Sequence, residues 1–175
     1  MPPLKPPVGP HDHIIGPHNA RVTLVEYGDY QCPYCGNAYP IVKALLDKFP
    51  KTLCVAFRNF PLTQAHQYAL GAAEIAEAAG NQHKFWEMHD WLYAHQRSLE
   101  PEMLLKGAEQ LKLDTDQIKA ALEDGQIQKR IEDDLKSGIE SGVDGTPAFF
   151  INGEKFDGNW TDFKVFATAI EAAGG

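Results

Sequence analysis

The chain has 175 residues, 43% of them hydrophobic and 23% charged, which suits one globular core with room for an insertion. No apolar run approaches the roughly 20 residues needed to span a bilayer. Net charge is −8, placed unevenly as +2 over residues 1–61, −7 over 62–141 and −3 over 142–175, which argues against nucleic acid or an anionic membrane as partner and reads as a solvated helical face.

The opening stretch MPPLKPPVGPHDH lacks an apolar core and is not a secretory signal as written. This places the chain in the cytoplasm, or in the periplasm or outside the cell if a signal has been trimmed. Residues 1–19 read as a Pro-rich N-terminal arm, with His11 and His13 in a flexible tail. RVTLVEY, residues 21–27, is β-branched and aromatic, the pattern of a buried strand. CPYC follows, and then a helix with Ile41, Val42, Leu45, Leu46 and Phe49 on its apolar side and Pro50 as its stop. TLCVAFRNF (52–60) is a second strand. The three elements make a βαβ unit with a parallel strand pair.

Residues 62–141 read as helical throughout. An alanine-rich segment closes on Gly80, and the next helix has Phe85, Met88 and Leu92 on one face. PEMLLKGAEQL begins with proline at a permitted first-turn position. Asp114 and Gln117 have the spacing of a capping box. The last helix of the block repeats Ile127, Ile131, Leu135 and Ile139 at i+4. The sheet then resumes with PAFFI (147–151), an Asn152-Gly153 turn and EKFDG, followed by a closing helix with Thr161 as N-cap.

Three cysteines are too few for a disulfide scaffold. Cys54 lies in an apolar strand and reads as a core residue. Cys32 and Cys35, two residues apart in CPYC, allow three readings: a structural staple, half of a metal site, or a reactive dithiol. A staple closes too short a loop to stabilise much. A structural zinc wants four ligands, and no second CxxC exists. Placement favours the dithiol. Pro33 suits the first helical position, which puts Cys32 at the N-cap, where free N–H groups and the helix dipole favour an anion. Such a setting lowers a thiol pKa from ~8.5 into the range of roughly 3.5–7.5. Cys35 returns to the same face one turn later, so Cys32 reads as the exposed nucleophile and Cys35 as the more buried resolving thiol.

VTLVEYGDYQCPYCGNAYP, the helical block and GTPAFFING together resemble the thioredoxin-fold thiol–disulfide oxidoreductases of the disulfide-bond-formation (DsbA-like) type, over about residues 20–173. The resemblance implies an α/β thioredoxin fold, residues 20–61 with 142–175, interrupted by an inserted all-helical domain, 62–141. It implies Cys32 as nucleophile, Cys35 as resolving cysteine, and Thr146-Pro147 as the cis-proline segment that faces the dithiol and pairs with an extended substrate. Pro33 and Tyr34 would border the substrate, and Pro40 would kink the active-site helix. Glu26 shares a strand face with Val22 and Leu24, and the family carries a carboxylate there beneath the dithiol, where it relays a proton. The strongly oxidising members have histidine where this chain has Tyr34, which supplies no positive charge, so a less acidic Cys32 and a less oxidising couple are expected. Arg58 is a further candidate neighbour of the thiolate.

The implied activity is dithiol–disulfide exchange with protein thiols and disulfides, recharged by a redox partner protein or glutathione. The two sulfurs carry the chemistry, so no metal, nucleotide or other cofactor is implied, and neither nucleic acid nor membrane insertion is expected. The alternatives are a glutaredoxin-like, glutathione-dependent reductase, since CPYC also occurs there, and a non-catalytic zinc-binding module.

Overall fold

The computed structural model describes residues 2–174. In chain order the elements are β1 (His13–Ile15), β2 (Val22–Gly28), α1 (Pro33–Lys48), β3 (Leu53–Asn59), α2 (Ala69–Gly80), α3 (Phe85–Ala94), α4 (Pro101–Gln110), α5 (Thr115–Glu123), α6 (Gln126–Glu140), β4 (Ala148–Ile151), β5 (Glu154–Lys155) and α7 (Phe163–Ala172). The strands form one sheet in the order β1-β3-β2-β4-β5, with β2 and β3 parallel and every other pair antiparallel.

Side chains alternate across β2, and each set has its own partners. Val22 and Leu24 pack with Ala38, Val42 and Leu45 of α1 and with Phe166 and Ile170 of α7. Val25 and Tyr27 face the opposite side, against Ala56, Phe150 and Leu4. Helices α2–α6 run consecutively between β3 and β4. Their core, with Met88, Leu92, Leu104, Ile118, Ile127 and Ile131, continues into Tyr30, Cys32, Cys35 and Phe57. The dithiol thus stands where the helical block meets the sheet.

The N-terminal segment departs from the sequence reading. His13–Ile15 pairs antiparallel with β3, His13 opposite Phe57. The His13 ring stacks on Phe85 at 3.6 Å, and its Nε2 lies 2.8 Å from the Glu77 carboxylate. A three-residue strand between prolines carries too short a pattern to read from periodicity.

Other differences are local. The first of the block's helices begins at Ala69, later than its alanine-rich sequence suggests. In α5 the Asp114 carboxylate accepts from the N–H groups of Asp116 and Gln117, while the Gln117 side chain returns to that carboxylate. The Asp114 N–H, the usual target of a capping box, is instead donated to Gln82. Along α6, Ile127 and Ile131 are buried but Ile139 is 62% exposed. A step of four residues overshoots a 3.6-residue turn by about 40°, so three steps carry the side chain out of the core. Gly138 takes the inward place, where an added Cβ would sit 2.7 Å from the Phe60 ring. The N-cap of α7 is Asp162, whose carboxylate accepts from Lys164 and Val165, and the Thr161 hydroxyl is donated to Asn159. The hairpin turn has Asn152 and Gly153 at φ 49° and 85°, as an Asn-Gly pair allows.

Candidate active site

Strand β2 ends at Gly28 and α1 begins at Pro33, leaving four residues to turn the chain. Asp29 organises that turn. Its carboxylate accepts from the N–H groups of Gln31 (2.7 Å) and Cys32 (3.1 Å) on one oxygen and from Leu62 (2.9 Å) on the other, which also lies 2.8 Å from His66 Nδ1. Aspartate commonly bonds the backbone two residues ahead, so GDY held this signal, although the partners Leu62 and His66 lie far along the chain. Cys32 occupies the N-cap in extended conformation, and Pro33 opens the helix. Pro40 lies inside the same helix.

Both cysteines are more enclosed than the sequence suggests: Cys32 is 3% exposed and Cys35 0%. Their order is as expected, with Cys32 just under the surface and Cys35 deep. The loop at Thr146 covers the first sulfur, whose Sγ lies 3.5 Å from the Thr146 carbonyl oxygen, and the Thr146-Pro147 peptide is cis. The Cys32 thiol is pulled down to about 5, first by its hydrogen bond from Cys35, then by Thr146 and by the N–H groups of Cys35 and Tyr34, against the opposing effect of burial. Burial pushes the Cys35 thiol far up, helped by its bond to Cys32 and the nearby charge of Glu26. The Asp29 N–H, 3.5 Å from Cys35 Sγ, works the other way. The two thiols therefore differ in acidity, one ionised at neutral pH and one protonated.

Glu26 lies on β2 between Phe57 of β3 and Phe149 of β4 and is 2% exposed. Burial raises its carboxyl to about 8, and one of its oxygens, Oε1, has no hydrogen-bond partner. It borders a small cavity shared with Tyr39, His89 and the half-exposed pair Lys43–Asp90. The inward direction read from the strand pattern is the one seen.

The remaining candidates separate into near and far. Pro33 and Tyr34 are exposed at the rim, Tyr34 by 65%. The Tyr34 backbone N–H helps to lower the Cys32 thiol. Arg58 is not at the dithiol. Its guanidinium is buried against Asp12 (2.8 Å), the Pro6 carbonyl (3.0 Å) and the Tyr27 hydroxyl (3.0 Å), and so ties β3 to the N-terminal segment. Cys54 is buried with its sulfur 3.4 Å from the Thr23 hydroxyl, away from the pair. Among the described residues no group of three or more His, Cys, Asp or Glu side chains could hold a metal ion.

A thioredoxin family model matches residues 9–172. The chain belongs to the thioredoxin family. A thioredoxin-like oxidoreductase from Silicibacter pomeroyi DSS-3 is 27% identical, with a TM-score of 0.84 over 94% of this chain and 93% of that one. Oxidised BdbD from Bacillus subtilis (22% identical, TM-score 0.82, 93% and 92% covered) and alpha-DsbA1 from Wolbachia pipientis (21%, 0.82, 95% and 92%) have the same fold. The fold is the DsbA-like form of the thioredoxin fold. In sequence, a protein of Salinispora arenicola named a Na(+)/H(+) antiporter is 47% identical over 171 residues, 97% of this chain. The chain spans about a quarter (26%) of that relative's length. No described helix is long and apolar enough to cross a membrane.

Proposed function

We propose that this chain exchanges disulfides with protein substrates through Cys32 and Cys35. The observation that supports this reading is the placing of the two cysteines at the start of α1 beside the cis Thr146-Pro147 peptide, where Cys32 is lowered to about 5 and burial keeps Cys35 protonated. Thiolate is the nucleophile in disulfide exchange, and a low thiol pKa also makes a good leaving group.

The reductive direction runs in two displacements. Cys32 thiolate attacks one sulfur of a substrate disulfide, forming a mixed disulfide and releasing the other substrate sulfur as a thiolate. Cys35 then loses its proton and attacks Cys32 Sγ, so the pair becomes a disulfide and the substrate leaves as a dithiol, reduced by two electrons. Glu26, raised to about 8 and close enough for its charge to act on Cys35, suits the transfer of that proton. The oxidative direction is the reverse of these steps and uses the same groups. The Thr146-Pro147 segment offers backbone to an extended peptide, and Pro33 and Tyr34 border it. A redox partner protein or glutathione would recharge the pair.

An insulin-reduction assay tests this, run beside trapping with a Cys35→Ser variant. Cys32→Ser should abolish turnover, and Cys35→Ser should accumulate a mixed disulfide at Cys32 that a reductant releases. Full turnover by Cys32→Ser would refute the assignment.

A further inference from the structure

The loop between α3 and α4 sends one side chain into the first turn of α1. Gln96 donates through Nε2 to the carbonyl oxygens of both Tyr30 (2.9 Å) and Cys32 (2.8 Å). The loop is held in turn. The His95 ring stacks on Trp91 at 4.0 Å, His95 Nδ1 lies 2.8 Å from the Trp91 carbonyl oxygen, and the Ser98 N–H is donated to the His95 carbonyl. The approach needs a glycine opposite: a Cβ on Gly36 would lie 2.2 Å from Gln96 Oε1. Glycine in a helix is otherwise a liability, so Gly36 trades local helix stability for room.

The electrostatic consequence follows from which atoms are paired. Carbonyl oxygens carry partial negative charge, and those of Tyr30 and Cys32 belong to the turn bearing the sulfur that must become an anion. The Cys32 carbonyl already accepts from the Gly36 N–H at 3.1 Å. A second donor on it, and one on Tyr30, turns the positive ends of an amide toward these oxygens and offsets their field on the thiolate. We propose that Gln96 is a positioning residue for the dithiol, through which the helical block favours an ionised sulfur on Cys32, with Gly36 as the space its amide requires. The role deepens the function proposed above and rests on Cys32 being the nucleophile.

The pairing of Gln96 with Gly36 allows a double-mutant cycle. The readouts are Cys32 thiolate absorbance against pH and the dithiol–disulfide equilibrium against glutathione. Gln96→Ala should raise the Cys32 titration by about one unit, the worth of one net hydrogen bond. It should move the glutathione equilibrium toward the disulfide about tenfold, because the reduced form loses its stabilised anion. Gly36→Ala, which favours the helix and displaces the amide, should reproduce both shifts. In the Gln96→Ala background, Gly36→Ala should change neither. A drop in melting temperature of both redox forms, with titration and equilibrium unmoved in either single variant, would overturn the proposal. A parent protein whose Cys32 does not ionise below neutral pH would instead defeat the nucleophile assignment beneath it.

Discussion

In the proposed exchange three buried ionisable groups carry the chemistry, and their surroundings tune each of them. Cys32 is lowered first by its hydrogen bond from Cys35 and then by donors at the helix start, Cys35 is raised by burial, and Glu26 is raised by burial with an oxygen left unpaired. Glu26 has a consequence for stability. Its carboxyl holds a proton up to about 8 in the folded chain and would ionise near 4.3 when unfolded. Between those values the folded state binds more protons than the unfolded one, so stability falls as pH rises through that window and levels off above it. Glu26→Gln should flatten this dependence. It should match the parent near pH 4 and exceed it near pH 9 by up to about 5 kcal/mol, the full value of a shift of this size. Urea denaturation across that range checks it, and parallel curves for parent and variant would contradict it. The dithiol and Pro147 were legible from sequence because strand, CxxC and Thr-Pro are local patterns. Asp29 was legible only in part, from its bonds two and three residues ahead, and His66 and Gln96 were not, since their bonds to the active-site turn span 37 to 66 residues.

At the scale of elements, periodicity and caps located the helices, and the errors lie where neighbouring residues had equal claims. Thr161 and Asp162 are both good N-caps. Thr161 is drawn back to Asn159, and Asp162 meets the helix N–H groups. Asp162→Ala should therefore cost about 1 kcal/mol, while Thr161→Ala should cost clearly less. Thermal or urea unfolding of the two variants separates them, and equal losses would refute the cap assignment. The i+4 stripe of α6 failed at Ile139 for a geometric reason, the drift of that spacing around the helix, and Gly138 shows the true inward face.

At the scale of the whole molecule, the order β-α-β, helices, β-β-α was readable because each segment keeps one period. The N-terminal segment was misread because its strand is short and its hold on the molecule is made by Arg58, Asp12 and His13 across long separations. The dithiol lies in the core shared by sheet and helical block, with the turn around Cys32 held by Asp29 within it and by Gln96 of the block. In that location the two thiols differ in acidity, and the proposed exchange depends on that difference. Thiolate absorbance of the reduced protein against pH measures this most directly, with Cys32→Ser as control. One thiol should ionise near 5, absent from Cys32→Ser, and Cys35 should show no ionisation below pH 9. A first ionisation at 8 or above, or one that survives in Cys32→Ser, would contradict it.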